Sequence, residues 1–94
     1  MHAMVVTVRV DPERGDQATQ MLKTQVVPAA KALTGFVSGN WVRSASGDRG
    51  MGIVIFDTEA NARAAADAVG SDPMPAGAPV TRESVDVYEV LAQA

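Results

Sequence analysis

Phe36-Val37-Ser38-Gly39-Asn40-Trp41-Val42-Arg43-Ser44 is followed by Ala45-Ser46-Gly47-Asp48-Arg49-Gly50 and then by Met51-Gly52-Ile53-Val54-Ile55-Phe56. The first and last stretches are of strand length and rich in β-branched and aromatic residues. The one between has the polar, glycine-bearing composition of a hairpin connection. Two consecutive strands in the middle of a chain of 94 residues must pair with whatever precedes and follows them. The flanking segments therefore decide the architecture.

Before the hairpin, Ala3 to Val10 alternates, with Met4, Val6, Val8 and Val10 on one face and Val5, Thr7 and Arg9 on the other, which is the period of a strand. Asp11-Pro12-Glu13 then supplies an N-cap, a proline at the first helical position and an acid in the first turn. Ala18, Met21, Leu22, Val26, Ala29, Ala30 and Leu33 recur at helical spacing up to Thr34-Gly35. Pro28 interrupts this helix and lacks the N–H that bonds four residues back, so a kink or break is expected near Val26 and Val27. After the hairpin, Asp57 or Thr58 caps a second helix with Ala62, Ala65, Ala66 and Val69 on one stripe and Gly70 at its end. Ser71 to Pro79 reads as an extended loop without regular structure, and Val80 to Leu91 as the fourth strand.

The order strand, helix, strand, strand, helix, strand predicts a single α+β domain over residues 1–94, a ferredoxin-like βαββαβ with a four-stranded antiparallel sheet. Strands one and three are expected at the centre, as parallel neighbours, with strands two and four at the edges. Both helices then lie on one face and leave the other bare. Strand three carries Ile53 and Ile55 on one side and Val54 and Phe56 on the other, so an apolar pair faces away from the helices whichever side they cover. Burying such a patch is worth roughly 25 cal/mol per Å². A homodimer formed sheet to sheet is the expected way to bury it.

Composition narrows the function classes. Eight Lys and Arg against eleven Asp and Glu give a net charge of −3, and the cations are scattered along the chain, so neither nucleic acid nor a membrane surface is an expected partner. No cysteine is present, which removes disulfides, thiolate metal sites and a cysteine nucleophile. His/Asp/Glu groups at metal-binding spacing and glycine-rich phosphate loops are also missing, so no cofactor or metal is expected. With no basic stretch leading into a long apolar one at the N-terminus, the expected location is cytoplasmic.

The segment Gly35 to Ser44, followed by Gly52-Ile53-Val54-Ile55-Phe56-Asp57-Thr58-Glu59-Ala60-Asn61-Ala62 and by Ser84-Val85-Asp86-Val87-Tyr88-Glu89-Val90, resembles the antibiotic biosynthesis monooxygenase-like family, and Val10-Asp11-Pro12-Glu13-Arg14-Gly15 fits the same pattern. The resemblance implies a dimeric α+β barrel with a cavity between helices and sheet in each subunit. In some members that cavity hosts cofactor-independent oxidation of aromatic polyketides, in others oxidative haem breakdown. Haem-degrading members resemble one another in a first-strand asparagine, a tryptophan on a central strand and a histidine ligand. Here the first strand offers Thr7 and the sole histidine is His2 at the terminus, so haem is not expected to be retained.

Candidate substrate-binding residues are Thr7, Arg9, Trp41 and Arg43, expected on one sheet face. Trp41 is either an aromatic wall for a flat ligand or filling for the contact between sheets. Arg43, two residues on, points the same way and either fixes an anionic or enolate group beside that ring or pairs with a surface acid such as Asp48. Asn40 points opposite to Trp41. Tyr88 either bonds a substrate or sits at a dimer seam, and an unperturbed phenol pKa of about 10 makes it a poor base. Two functional readings follow: a cofactor-independent monooxygenase acting on an aromatic small molecule, or a non-catalytic module that binds an apolar small molecule or a protein on the same scaffold.

Overall fold

The computed structural model describes residues 1–94, with strands β1 (His2–Val10), β2 (Phe36–Arg43), β3 (Arg49–Phe56) and β4 (Val80–Glu89) in one sheet of order β2-β3-β1-β4. β1 and β3 are central and β2 and β4 are edges, as expected. Every neighbouring pair, including β1 with β3, runs antiparallel. The expectation of a parallel central pair is therefore wrong. Each helical crossover returns the chain in the direction of the preceding strand, and the hairpin reverses it once between them, so β1 and β3 must run in opposite senses.

The first helical run is continuous from 12 to 31. It opens with a 3₁₀ turn, Pro12–Arg14, capped by Asp11, whose side chain accepts from the Glu13 N–H at 3.1 Å. Gly15–Met21 is α-helical, Leu22–Val26 forms a π turn, and Val27–Lys31 is α-helical again. Pro28 does not end the run. The turn before it widens by one residue, so that the Val27 N–H reaches the Leu22 carbonyl, and this π turn is the irregularity that stands where a kink or break was expected. Gly35 follows with φ +82°, a left-handed conformation that glycine adopts at no cost, and turns the chain into β2. The second helix, Glu59–Ser71, is capped by Thr58, whose hydroxyl accepts from the Asn61 N–H at 3.1 Å.

Alanines let the second helix lie close on β1, β3 and β4: Ala62 and Ala65 are buried with Met4, Val54 and Phe56 in one cluster. The first run behaves differently. Its C-terminal part lies over β2, Ala18 and Ala30 are buried, and Met21, Leu22 and Val26 stay half-buried outside that cluster.

The register sorts the sheet into two faces. Toward the helices lie Gly39-Val54-Met4-Val87, then Trp41-Gly52-Val6-Val85, then Arg43-Gly50-Val8-Arg82, each row read from β2 across to β4. Away from them lie Ser38-Ile55-Ala3-Tyr88, Asn40-Ile53-Val5-Asp86 and Val42-Met51-Thr7-Ser84. No element covers this second face, where Val42, Met51 and Tyr88 are 53%, 39% and 55% exposed. No helix is long and apolar enough to cross a membrane.

Candidate binding groove

Trp41 lies on the helix side, half-buried and packed against the core cluster. Its indole covers two glycines. A Cβ added at Gly39 would stand 2.6 Å from Cη2 and 2.9 Å from Cζ3, and one at Gly52 would stand 3.0 Å from both Cδ1 and Nε1. Missing side chains on its own strand and the next thus make room for the ring to lie flat on the sheet. Val6 continues this surface on β1, in the same row and likewise packed against the core cluster.

Arg43, two residues on and exposed, reaches the first helical run. Its Nη2 donates to Thr19 Oγ1 at 2.8 Å, bridging β2 to the first helical run, and Thr19 in turn donates to the Gly15 carbonyl at 3.0 Å. No carboxylate pairs with Arg43. The salt bridges join Arg9 to Glu83 and Arg63 to Glu59. Asp48, a suggested partner, instead accepts from Ser46 and Ser44 within the hairpin turn, and the Ser46 hydroxyl in particular holds its carboxyl below the usual carboxylate range. Arg82 shares the Arg43 row but is committed to the carbonyls of Gly70 and Asp72 at the end of the second helix, at 3.3 and 2.7 Å.

The four residues expected on one face are divided by the register. Trp41 and Arg43 face the helices, whereas Thr7 and Arg9 face away, Thr7 against Met51 and Ser84 and Arg9 against Arg49. The expectation failed because alternation fixes faces only within a strand. Which face of one strand meets which face of the next depends on pairing. On the outer face Thr7 exchanges a short hydroxyl contact with Ser84, and Arg9 bonds Glu83 at 3.2 Å. A shallow hollow of about 440 Å³ at this end is lined by Thr7, Val42, Arg43, Met51 and Glu83 among others, so Thr7 and Arg43 meet at its rim while Trp41 does not contribute. Asn40 lies opposite Trp41, as expected, and Tyr88 stands exposed on the outer face.

One participant escaped the sequence reading, and a second residue is placed differently from its expectation. Thr19 carries no signal of its own in a helix, and only its bond to Arg43 reveals it. His2, expected at a loose terminus, is the first residue of β1, paired with Phe56 and Glu89, with Nδ1 buried and without a hydrogen-bond partner. It stands four residues along β1 from Val6 in the Trp41 row, about 13 Å at strand rise. This chain therefore places no histidine beside Trp41. No cluster of three or more His, Cys, Asp or Glu side chains forms a metal site.

A four-stranded antiparallel sheet with two helices on one face is the ferredoxin-like α+β fold, shared with solved structures that include monooxygenases and a haem degrader. Among solved structures, the chain is similar to the haem degrader MhuD of Mycobacterium tuberculosis, solved with two haems bound in its active site, at 15% identity and TM-score 0.77, covering 100% of this chain and 99% of that one. It is similar also to a protein of Bordetella bronchiseptica assigned as an antibiotic biosynthesis monooxygenase, at 16% identity and TM-score 0.65 over 97% of each chain. A third is the ActVA-Orf6 monooxygenase of Streptomyces coelicolor in complex with nanaomycin D, at 17% identity and TM-score 0.58, covering 99% and 91%. No family model and no curated protein matches the sequence.

Proposed function

We propose that the protein is a homodimer, joined through its outer sheet faces, in which each subunit binds a flat aromatic small molecule between the first helical run and Trp41. The observation that carries this reading is the seat of Trp41. A large aromatic ring laid on two glycines and left half-buried at the margin of the core offers a stacking surface for a flat ligand. The dimer is supported by the uncovered face, where Ile53, Val5, Ile55 and Met51 form an apolar centre flanked along one row by Asn40 and Asp86. Like patches meeting about a two-fold axis would bury it.

The reaction that suits this groove is cofactor-independent oxygenation of a phenol-type ligand, the chemistry suggested by the fold's monooxygenase neighbours. The floor rows, Trp41-Gly52-Val6-Val85 and Gly39-Val54-Met4-Val87, contain no side chain that takes up a proton. The ligand must therefore ionise readily on its own, and the protein's part is to exclude water and to stabilise the anion with the Arg43 guanidinium as the ionised ring passes electrons to dioxygen. That missing base equally favours a second reading, a non-catalytic small-molecule carrier on the same scaffold. A survey of aromatic phenols in an oxygen electrode separates the two. Turnover lost in Trp41→Ala and Arg43→Ala supports the oxygenase, whereas binding without oxygen uptake supports the carrier. Failure of any aromatic compound to bind would remove both.

A further inference from the structure

Resting on the dimer proposed above, we infer that its two sheets meet in one register, fixed by Arg49 of each subunit against the partner's Asp86. The apolar centre of the outer face does not choose a register by itself, because hydrophobic burial is non-directional. Charges at its margin do choose, since like charges brought together across an interface are strongly disfavoured.

On that face Arg9 is already paired with Glu83 at 3.2 Å. Arg49 and Asp86 are exposed, and the side chain of neither forms a salt bridge or hydrogen bond within the chain. Across the sheet Arg49 faces Arg9, a like charge, and its neighbour Asp48 is bonded to Ser44 and Ser46 in the hairpin turn. Asp86 has Val5 opposite it and Ser84 and Tyr88 beside it on the outer face, none of them a cation. An unmatched cation and an unmatched anion on one face are what a two-fold contact needs, because there each residue meets the other's copy and the pair forms twice.

Their positions define the axis. Arg49 lies opposite Arg9, two residues along β1 from Thr7, and Asp86 opposite Val5, two residues the other way and on the other side of β1. They are therefore separated by about 13 Å along the strands and about 10 Å across them. A two-fold axis over Thr7, perpendicular to the line joining them, exchanges the two. On a flat sheet the same rotation sets Val5 over the partner's Met51, keeps Ile53 near the axis and crosses the two sets of strands at roughly 70°, close to orthogonal packing. Apolar side chains then meet apolar ones where the charges meet their opposites. Thr7, whose hydroxyl is taken up by Ser84, lies at the seam.

Sedimentation equilibrium of the full chain, with native mass spectrometry to distinguish mixed dimers, tests this register. Arg49→Glu should weaken self-association about tenfold or more, and Asp86→Arg likewise, because each substitution creates two like-charge contacts per dimer. Mixed in equal amounts, the two single variants should form a heterodimer of near wild-type affinity, since both contacts then join opposite charges. The double variant Arg49→Glu/Asp86→Arg should self-associate for the same reason. A wild-type dimer that neither substitution weakens, or single variants that stay apart when mixed, overturns the register and leaves a sheet-to-sheet dimer standing. A monomeric wild-type chain removes the dimer and the register together.

Discussion

Replacing Gly39 by alanine probes the floor of the groove directly. A Cβ there would stand 2.6 Å from Cη2 and 2.9 Å from Cζ3 of Trp41, against an optimal carbon separation of about 3.5 to 4.0 Å, so the ring must move by roughly 1 Å. Overpacking of that kind costs about 1 to 3 kcal/mol. Against it stands the gain of about 0.5 to 1 kcal/mol from removing a glycine from a strand. The net expectation is a loss of about 1 kcal/mol, which lowers the melting temperature of a domain this size by about 4 to 8 °C. In a Trp41→Ala background the clash is gone and only the gain remains, so the same substitution should become neutral or stabilising. A double-mutant cycle by thermal denaturation, at one fixed protein concentration because a dimer's stability depends on it, reads the coupling as about 1 to 3 kcal/mol. An equal cost of Gly39→Ala with and without the indole would refute the seat of Trp41 and, with it, the groove built upon that ring.

Ile53→Lys places a charge at the centre of the uncovered face and should convert the dimer to a monomer in sedimentation equilibrium. A wild-type chain that stays monomeric at micromolar concentration contradicts the shared-sheet arrangement. Haem titration followed by absorbance should show no tight Soret shift, and one abolished by His2→Ala would bring haem chemistry back. The Asp48 carboxyl is held low chiefly by the Ser46 hydroxyl, so the hairpin gains stability from it above the ordinary carboxylate range and loses that contribution as pH falls through the depressed value. NMR titration of Ser46→Ala should find the Asp48 pKa raised toward ordinary, and an unchanged value contradicts the assignment.

Much of the fold was legible because its signals are local. Alternation in Ala3 to Val10, the capping residues Asp11 and Thr58 and the alanine stripe of the second helix each set an element by short-range chemistry, and each element stands where they place it. Pro28 signalled an irregularity near Val26 and Val27 because a proline announces a lost hydrogen bond, but not its form, which is a π turn. The site was half legible. Alternation correctly joined Trp41 to Arg43 and set Asn40 opposite. It could not reach across strands, so Thr7 and Arg9 were assigned to the wrong side, and nothing in the sequence ties Thr19 to an arginine 24 residues away.

Chemical-shift mapping of the labelled protein with 2-naphthoate tests most directly whether an aromatic ligand lies between the first helical run and the sheet. The expected response is centred on Val6, Trp41 and Gly52 on the helix side of the sheet, with contacts from ligand protons to the indole of Trp41. Shifts centred on Thr7, Val42, Met51 and Glu83, in the hollow that Trp41 does not line, with Trp41 unmoved, would contradict it.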